Sequence, residues 1–282
     1  MAMQSGTFRA RDGLQLFWQG WLPDTSPQGT ILIAHGAGEH CGRYRHLVEY
    51  FQTRGYCLYG FDFRGHGRSE GVRGDVLGWE QYRNDVHSFI SWVLSREPTE
   101  PLFLFGHSMG GQIVLDYLTM ERHEDEPVHH ASIASVITSG AAIAQPRVNP
   151  LLVLIGKLLS RLLPTFSLSN GLNTDLISRD NQEVKAYRED PLVASKVTAR
   201  WAAGFFQAIK RVQSNAHRQR LPIFMYHGGA DQIIPAIGSR QYFSKLGMAD
   251  KKLTIYDGGY HEPHNDLQKQ EVFSDIERWL TR

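Results

Sequence analysis

The sequence predicts an α/β fold: one mostly parallel sheet flanked by helices, with a helical cap inserted late in the chain. Three observations predict it. Short apolar runs ending in loops rich in Gly, His and Asp alternate with helical patterns. One such run, at 102–105, leads directly into Gly106-His107-Ser108-Met109-Gly110, a G-x-S-x-G, and then into Ile113, Val114, Tyr117 and Leu118 at helical spacing. Finally, the alternation stops from about 142 to 194 and then resumes. The 282 residues therefore read as a single domain, 1–282, carrying a cap insertion over about 142–194.

Taken in order, 7–10 and 14–22 flank Arg11-Asp12-Gly13, a hairpin signal, and pair antiparallel at the start of the sheet. Residues 30–34 form a continuous apolar run of the kind buried on both faces, ending in His35-Gly36-Ala37-Gly38-Glu39-His40. A helix over 44–53 and a strand over 56–61 follow, and strand, helix, strand in succession implies a right-handed parallel crossover. Residues 82–94 read as a helix with Val86, Phe89, Ile90 and Val93 on one face. After the G-x-S-x-G unit comes a strand at 133–138. Within the interruption no strand pattern appears. There, 151–163 reads as a short, almost wholly apolar helix with Lys157, Ser160 and Arg161 as a narrow polar stripe, and 167–180 as loop. Alternation resumes with a helix at 198–213, a strand at 223–227, a helix at 235–246, a strand at 253–256 and a last helix at 265–280.

Charge and cysteine content bound the function. Thirty basic and twenty-nine acidic residues leave a net charge of +1 with no basic block, which argues against a nucleic-acid partner. The first residues lack the apolar core of a signal peptide and no run of 18 apolar residues occurs, so a soluble, cytoplasmic protein is expected, with peripheral membrane contact left open. Two cysteines, Cys41 and Cys57, are too few for a disulfide framework and fit a reducing compartment.

The chemistry centres on Ser108. A serine on a sharp strand-to-helix turn is held out at the sheet edge, and the first helix amides, Met109 foremost, point where an oxyanion would develop. The bland alternative is a glycine-rich helix start. A serine needs a base, and the base needs an orienting carboxylate, both expected outside the carboxyl ends of later strands. Asp231 lies just past the strand at 223–227, and His261 just past the strand at 253–256. Asp257 is a rival acid, but it sits only four residues from the histidine. His35, His66, His107 and His227 read as residues that bond the backbone. His261-Glu262-Pro263-His264 lacks the H-E-x-x-H spacing, so no metal is expected.

With these residues assembled, the sequence resembles an α/β hydrolase of the monoacylglycerol lipase and lysophospholipase group. Four stretches carry the resemblance: 35–40 with Arg43-Tyr44; Asp62-Phe63-Arg64-Gly65-His66-Gly67-Arg68-Ser69-Glu70-Gly71; 106–111; and Tyr260-His261-Glu262-Pro263-His264-Asn265. It spans most of the chain and fades in the cap, where Asp190-Pro191-Leu192 matches the return to the core. It implies Ser108 as nucleophile, His261 as base and then acid, Asp231 as orienter, and an oxyanion hole from the amides of Ala37 and Met109. The implied reaction cleaves a monoacylglycerol to glycerol and fatty acid through an acyl-enzyme, without a cofactor. Lysophospholipase, broad carboxylesterase and acyltransferase activities are the alternatives, and a non-catalytic ligand sensor is the non-enzymatic one. Haloalkane dehalogenases and epoxide hydrolases place aspartate at the elbow, so serine disfavours those reactions. The loop after Asp231 carries Ile233 and Ile234 with no nearby cysteine, which argues against a thiol-sensitive site.

Two further expectations concern specificity. Glu39 and Arg43, at i and i+4, are expected with His264 to form a polar cluster near the alcohol end of the site, against the alternative of a surface ion pair. Leu151, Leu154, Ile155, Leu158 and Leu162 are expected to line an acyl-chain tunnel or to touch membrane, against the alternative of a cap face packed on the core.

Overall fold

The computed structural model describes residues 2–96, 98–120, 132–144 and 159–282. Its centre is an eight-stranded sheet. The strands are β1 (Ala2–Arg9), β2 (Gln15–Leu22), β3 (Gly29–Ala34), β4 (Tyr56–Phe61), β5 (Leu102–His107), β6 (Ile133–Ser139), β9 (Ile223–Gly228) and β10 (Lys251–Tyr256); β7 (Ser167–Ser169) and β8 (Lys196–Thr198) form a separate pair. Spatial order is β1-β2-β4-β3-β5-β6-β9-β10, antiparallel only where β2 meets β1 and β4. The helices are α1 (Arg45–Gln52), α2 (Trp79–Leu94), α3 (Met109–Thr119), α4 (Asn181–Glu189), α5 (Ala199–Asn215), α6 (Ile237–Ser244) and α7 (Lys269–Leu280).

The central strands are apolar throughout because successive side chains serve opposite layers. Leu32, Leu104, Val136 and Met225 face a core completed by Val86, Phe89, Ile113, Val114 and Val212 of α2, α3 and α5. Ile33, Phe105, Ile137 and Phe224 face a second core closed by Leu47 and Phe51 of α1 and by Val272, Phe273 and Ile276 of α7. From β3 the chain moves one way to β4 and then returns to β5 on the other side, so the loops after β3 and β5 open onto the point where strand order reverses. In open α/β sheets that crevice is where ligands bind.

Differences from the sequence-based expectations cluster late in the chain. The interruption at 142–194 does contain a strand, β7, whose three residues pair with β8 through Leu168 opposite Val197; three residues are too few to show alternation. Helix α4 lies in a stretch to which the sequence reading assigned no element. Only Val184 and Tyr187 of its nine residues are buried, so its apolar signal is thin. The helix expected from 265 starts at Lys269, because a separate turn at Pro263–Asn265 buries His264 and Asn265 beneath the sheet edge. Likewise a tight turn at Cys41–Tyr44 precedes α1.

Candidate active site

Ser108 stands between β5 and α3 with φ 50° and ψ −116°, the sole positive φ outside glycine among the described residues. Such a conformation costs of order 1–3 kcal/mol and persists only where neighbours over-determine it. They do so here. The Ser108 amide donates to Ser139 O (2.9 Å), and its carbonyl accepts from Gln112 (3.0 Å) and Ala142 (2.9 Å). The flanking glycines serve close approach: a Cβ on Gly110 would lie 2.2 Å from Ala34 O, and one on Gly106 2.7 Å from Gly111 Cα.

The three sequence-predicted partners meet at this turn. Ser108 Oγ is 2.9 Å from His261 Nε2, and His261 Nδ1 is 2.7 Å from Asp231 Oδ2. Asp231 Oδ1 accepts the amides of Ile233 and Ile234, both at 2.9 Å, while His227 Nε2 lies 3.0 Å from Oδ2. Asp257, the rival acid, is exposed, whereas Asp231 is buried. Burial alone would raise the Asp231 carboxyl. The His261 charge and the bonds from His227 and His261 outweigh it and hold Asp231 well below the usual carboxylate range. For His261 burial acts to lower the imidazole, but the Asp231 carboxylate, then Glu262 and Glu39, raise it above its ordinary value. The neighbouring His107 is pushed down to about 4 by burial and by His261, and stays neutral.

The second loop at the crevice, 35–40, is braced by side chains. His35 Nδ1 lies 2.7 Å from Gly36 O and its Nε2 accepts the Phe63 amide at 2.9 Å, which assigns the proton to Nδ1. The Gly36 amide donates to Glu39 Oε1 at 2.6 Å. The next residue, Ala37, lines the same small cavity as Ser108 and His261, and its amide makes none of the backbone hydrogen bonds among the described residues. Met109, the first residue of α3, has an amide with no intrahelical acceptor and the positive end of the helix dipole behind it. His66 and His107 also direct Nδ1 at backbone carbonyls, Arg64 O and Ser139 O, each at 3.0 Å.

The polar cluster differs from expectation in one member. Arg43 is salt-bridged to Glu39, but its second partner is Glu262, held by two parallel bonds of 2.8 and 2.9 Å. Tyr44 OH donates to Glu39 Oε1 at 2.7 Å, and Asn265 Nδ2 donates to Glu262 Oε2 at 2.9 Å. His264 does not join them: its ring stacks on Tyr44 at 5.3 Å and its Nδ1 lies 3.1 Å from Ser139 Oγ, behind the β5 and β6 ends. The turn at Pro263–Asn265 carries it there, outside the lining of the cavity at Ser108. The ion pair itself is buried, not a surface pair.

The cavity at Ser108 holds about 30 Å³, room for a water, and Leu172, Ile177 and Tyr187 are among its lining residues. A larger depression of about 550 Å³ lies over His40, Arg68 and Asp190, is open to solvent and includes neither Ser108 nor His261. Of the expected acyl-chain lining, Leu151, Leu154, Ile155 and Leu158 lie outside the described residues. Leu162 is 67% exposed and does not line the cavity. Among the described residues no group of three His, Cys, Asp or Glu side chains could hold a metal. Sequence reasoning missed Glu262 and Tyr187 as site residues. For Tyr187 a signal existed, since Asp180 caps α4 and Glu183 stands three residues on, a capping-box pattern that announces a helix.

A family model described as serine aminopeptidase, S33, matches residues 25–268, a span containing Ser108, Asp231 and His261. The chain belongs to this family. The hydrolase is 33% identical over 276 residues to the monoacylglycerol lipase of Mycolicibacterium smegmatis, covering 97% of this chain and 95% of that protein. Its fold matches the crystal structure of Paleococcus ferrophilus monoacylglycerol lipase with a TM-score of 0.81 at 33% identity, over 99% of this chain and 98% of that one. It also matches a soluble variant of the Saccharomyces cerevisiae monoglyceride lipase in complex with a substrate analog, with a TM-score of 0.83 at 26% identity, over 99% and 94%. The hydrolase therefore has the α/β-hydrolase fold of these enzymes.

Proposed function

We propose that this hydrolase cleaves monoacylglycerols to glycerol and fatty acid through an acyl-enzyme on Ser108. The observation that carries the reading is the continuous line from Ser108 Oγ through both nitrogens of His261 to Asp231, at 2.9 and 2.7 Å. His261 Nε2 takes the hydroxyl proton as Oγ attacks the ester carbonyl, and Asp231 fixes the Nδ1–H tautomer and stabilises the imidazolium that forms. The Ala37 and Met109 amides receive the oxyanion. His261 then returns the proton to the departing glycerol oxygen, and a water activated by the same nitrogen releases the fatty acid. An ester is favoured over a peptide by the names of the similar lipases.

Residues 142–194 are read as a cap inserted beside this site, a reading supported by Leu172, Ile177 and Tyr187 of that stretch lining the cavity with Ser108 and His261. Leu163 (55% exposed) and Phe166 (48% exposed), beside Leu162, give the cap apolar surface suited to transient contact with lipid. No helix among the described residues is long and apolar enough to cross a membrane. The test is glycerol release from a long-chain monoacylglycerol by wild type and by Ser108→Ala. Loss of about 10,000-fold or more in kcat is expected, and retention of turnover in the variant would refute the assignment.

A further inference from the structure

The residues lining the cavity at Ser108 carry an unbalanced charge. Glu39 and Glu262 are two buried carboxylates that share one guanidinium, Arg43. The excess negative charge is not hidden behind the cation: both glutamates line the cavity that contains Ser108 and His261, and Arg43 does not. Nor is Arg43 available as an anion-binding fork. Its Nη1 is bonded to Glu39 and Glu262, its Nη2 to Glu262, and its face is covered by the Tyr187 ring at 4.4 Å from the centroid. Burial acts to raise the Glu262 carboxyl, but the charge and bonds of Arg43 outweigh it and hold Glu262 well below the usual carboxylate range.

The position of this charge relative to the chemistry follows from the proton transfer. The leaving oxygen is the atom His261 Nε2 must protonate, so the alcohol departs on the imidazole side of Ser108, within the cavity that Glu39 and Glu262 also line. On the serine-esterase reading above, we propose that Glu262 makes the alcohol side of the cavity a charge filter that accepts neutral leaving alcohols and rejects those bearing phosphate. A negative group entering the cavity beside two carboxylates that share one guanidinium meets a net charge of about −1 and is disfavoured by Coulomb repulsion, on the order of thirtyfold for unit charges about 8 Å apart at an effective dielectric near 20. A neutral diol meets no such cost and can donate its hydroxyls to carboxylate oxygens.

The experiment uses three esters of one acyl chain, on glycerol, on glycerol phosphate and on choline, each below its micellar concentration, with wild type and Glu262→Gln. In wild type, kcat/KM is expected to be about thirtyfold or more lower for the phosphate ester than for the glycerol ester, with the cationic choline ester above the phosphate ester. Glu262→Gln is expected to narrow both ratios about tenfold. Unchanged ratios in a variant that a fluorophosphonate still labels would overturn the proposal. If that variant does not fold, wild type alone decides: equal kcat/KM on the choline and phosphate esters means selection by size and contradicts the filter. Equal rates on all three esters sink the filter while leaving the esterase reading intact; absence of turnover on all three removes the esterase reading and the filter with it.

Discussion

Two loops meet at the crevice where strand order reverses, and they hold their amides by different means. The turn at Ser108 is fixed by backbone: a strained φ, three main-chain hydrogen bonds and two glycines pressed against β3 and α3. The loop at 35–40 is fixed by side chains and by a backbone bond from a distant segment. Glu39 grips the Gly36 amide, His35 bridges to Phe63, and the Ala194 amide donates to Gly38 O at 2.7 Å. The difference teaches that the position of Ser108 rests on main-chain bonds and on the glycines beside it. The loop at 35–40, by contrast, is tied to residues far along the chain, including Ala194.

Substitutions can break this comparison, the most severe on the backbone side. Gly110→Ala places a Cβ 2.2 Å from Ala34 O, a main-chain atom that cannot rotate away. We expect about 3 kcal/mol of lost stability by thermal unfolding and at least a hundredfold slower fluorophosphonate labelling, since near-attack geometry is lost. On the side-chain loop, Glu39→Ala should lower kcat by about ten- to hundredfold, less than removal of a whole oxyanion donor. Glu39→Gln should recover part of that loss, because an amide oxygen can still accept from Gly36 and Tyr44. If Glu39→Ala cost as much as Gly110→Ala in both readouts, the distinction between the loops would fail.

The pH profile separates the loops further. The base must be neutral to accept a proton, and carboxylates raise His261 above its ordinary value of about 6.5. kcat/KM is thus retained at high pH and lost as pH falls through a midpoint above 6.5. Glu39 is one of the groups that raise His261, so Glu39→Ala should move the acid limb to lower pH, and Gly110→Ala should leave its midpoint in place. The smallest effect concerns thiols. Cys41, fully buried just beyond the loop, has its thiol pushed up by burial and by Asp62, and Cys57 is buried as well. Maleimide treatment should leave activity unchanged; inactivation would mean that the loop opens readily.

How much of this was legible in the sequence follows the same division. The serine, histidine and aspartate could be read because each follows an apolar strand and backbone topology places strand ends together. Glu262 could not. Its role depends on Arg43, 219 residues away, and on a turn at Pro263–Asn265 that diverts His264 to Tyr44 and Ser139 instead. The sequence spacing of Glu39 and Arg43 is that of any exposed i, i+4 pair, so their burial was invisible. Within 142–194, α4 keeps only Val184 and Tyr187 buried, and a three-residue strand has no period to detect.

The central claim is that Ser108 becomes acylated during turnover. Wild type mixed with a long-chain monoacylglycerol, quenched in acid within the first turnovers and digested for mass spectrometry, tests it directly. The account predicts an added acyl group on the peptide carrying Gly106-His107-Ser108-Met109-Gly110, and its absence in Ser108→Ala. Acylation of another residue, or glycerol release by that variant at the wild-type rate, would contradict it.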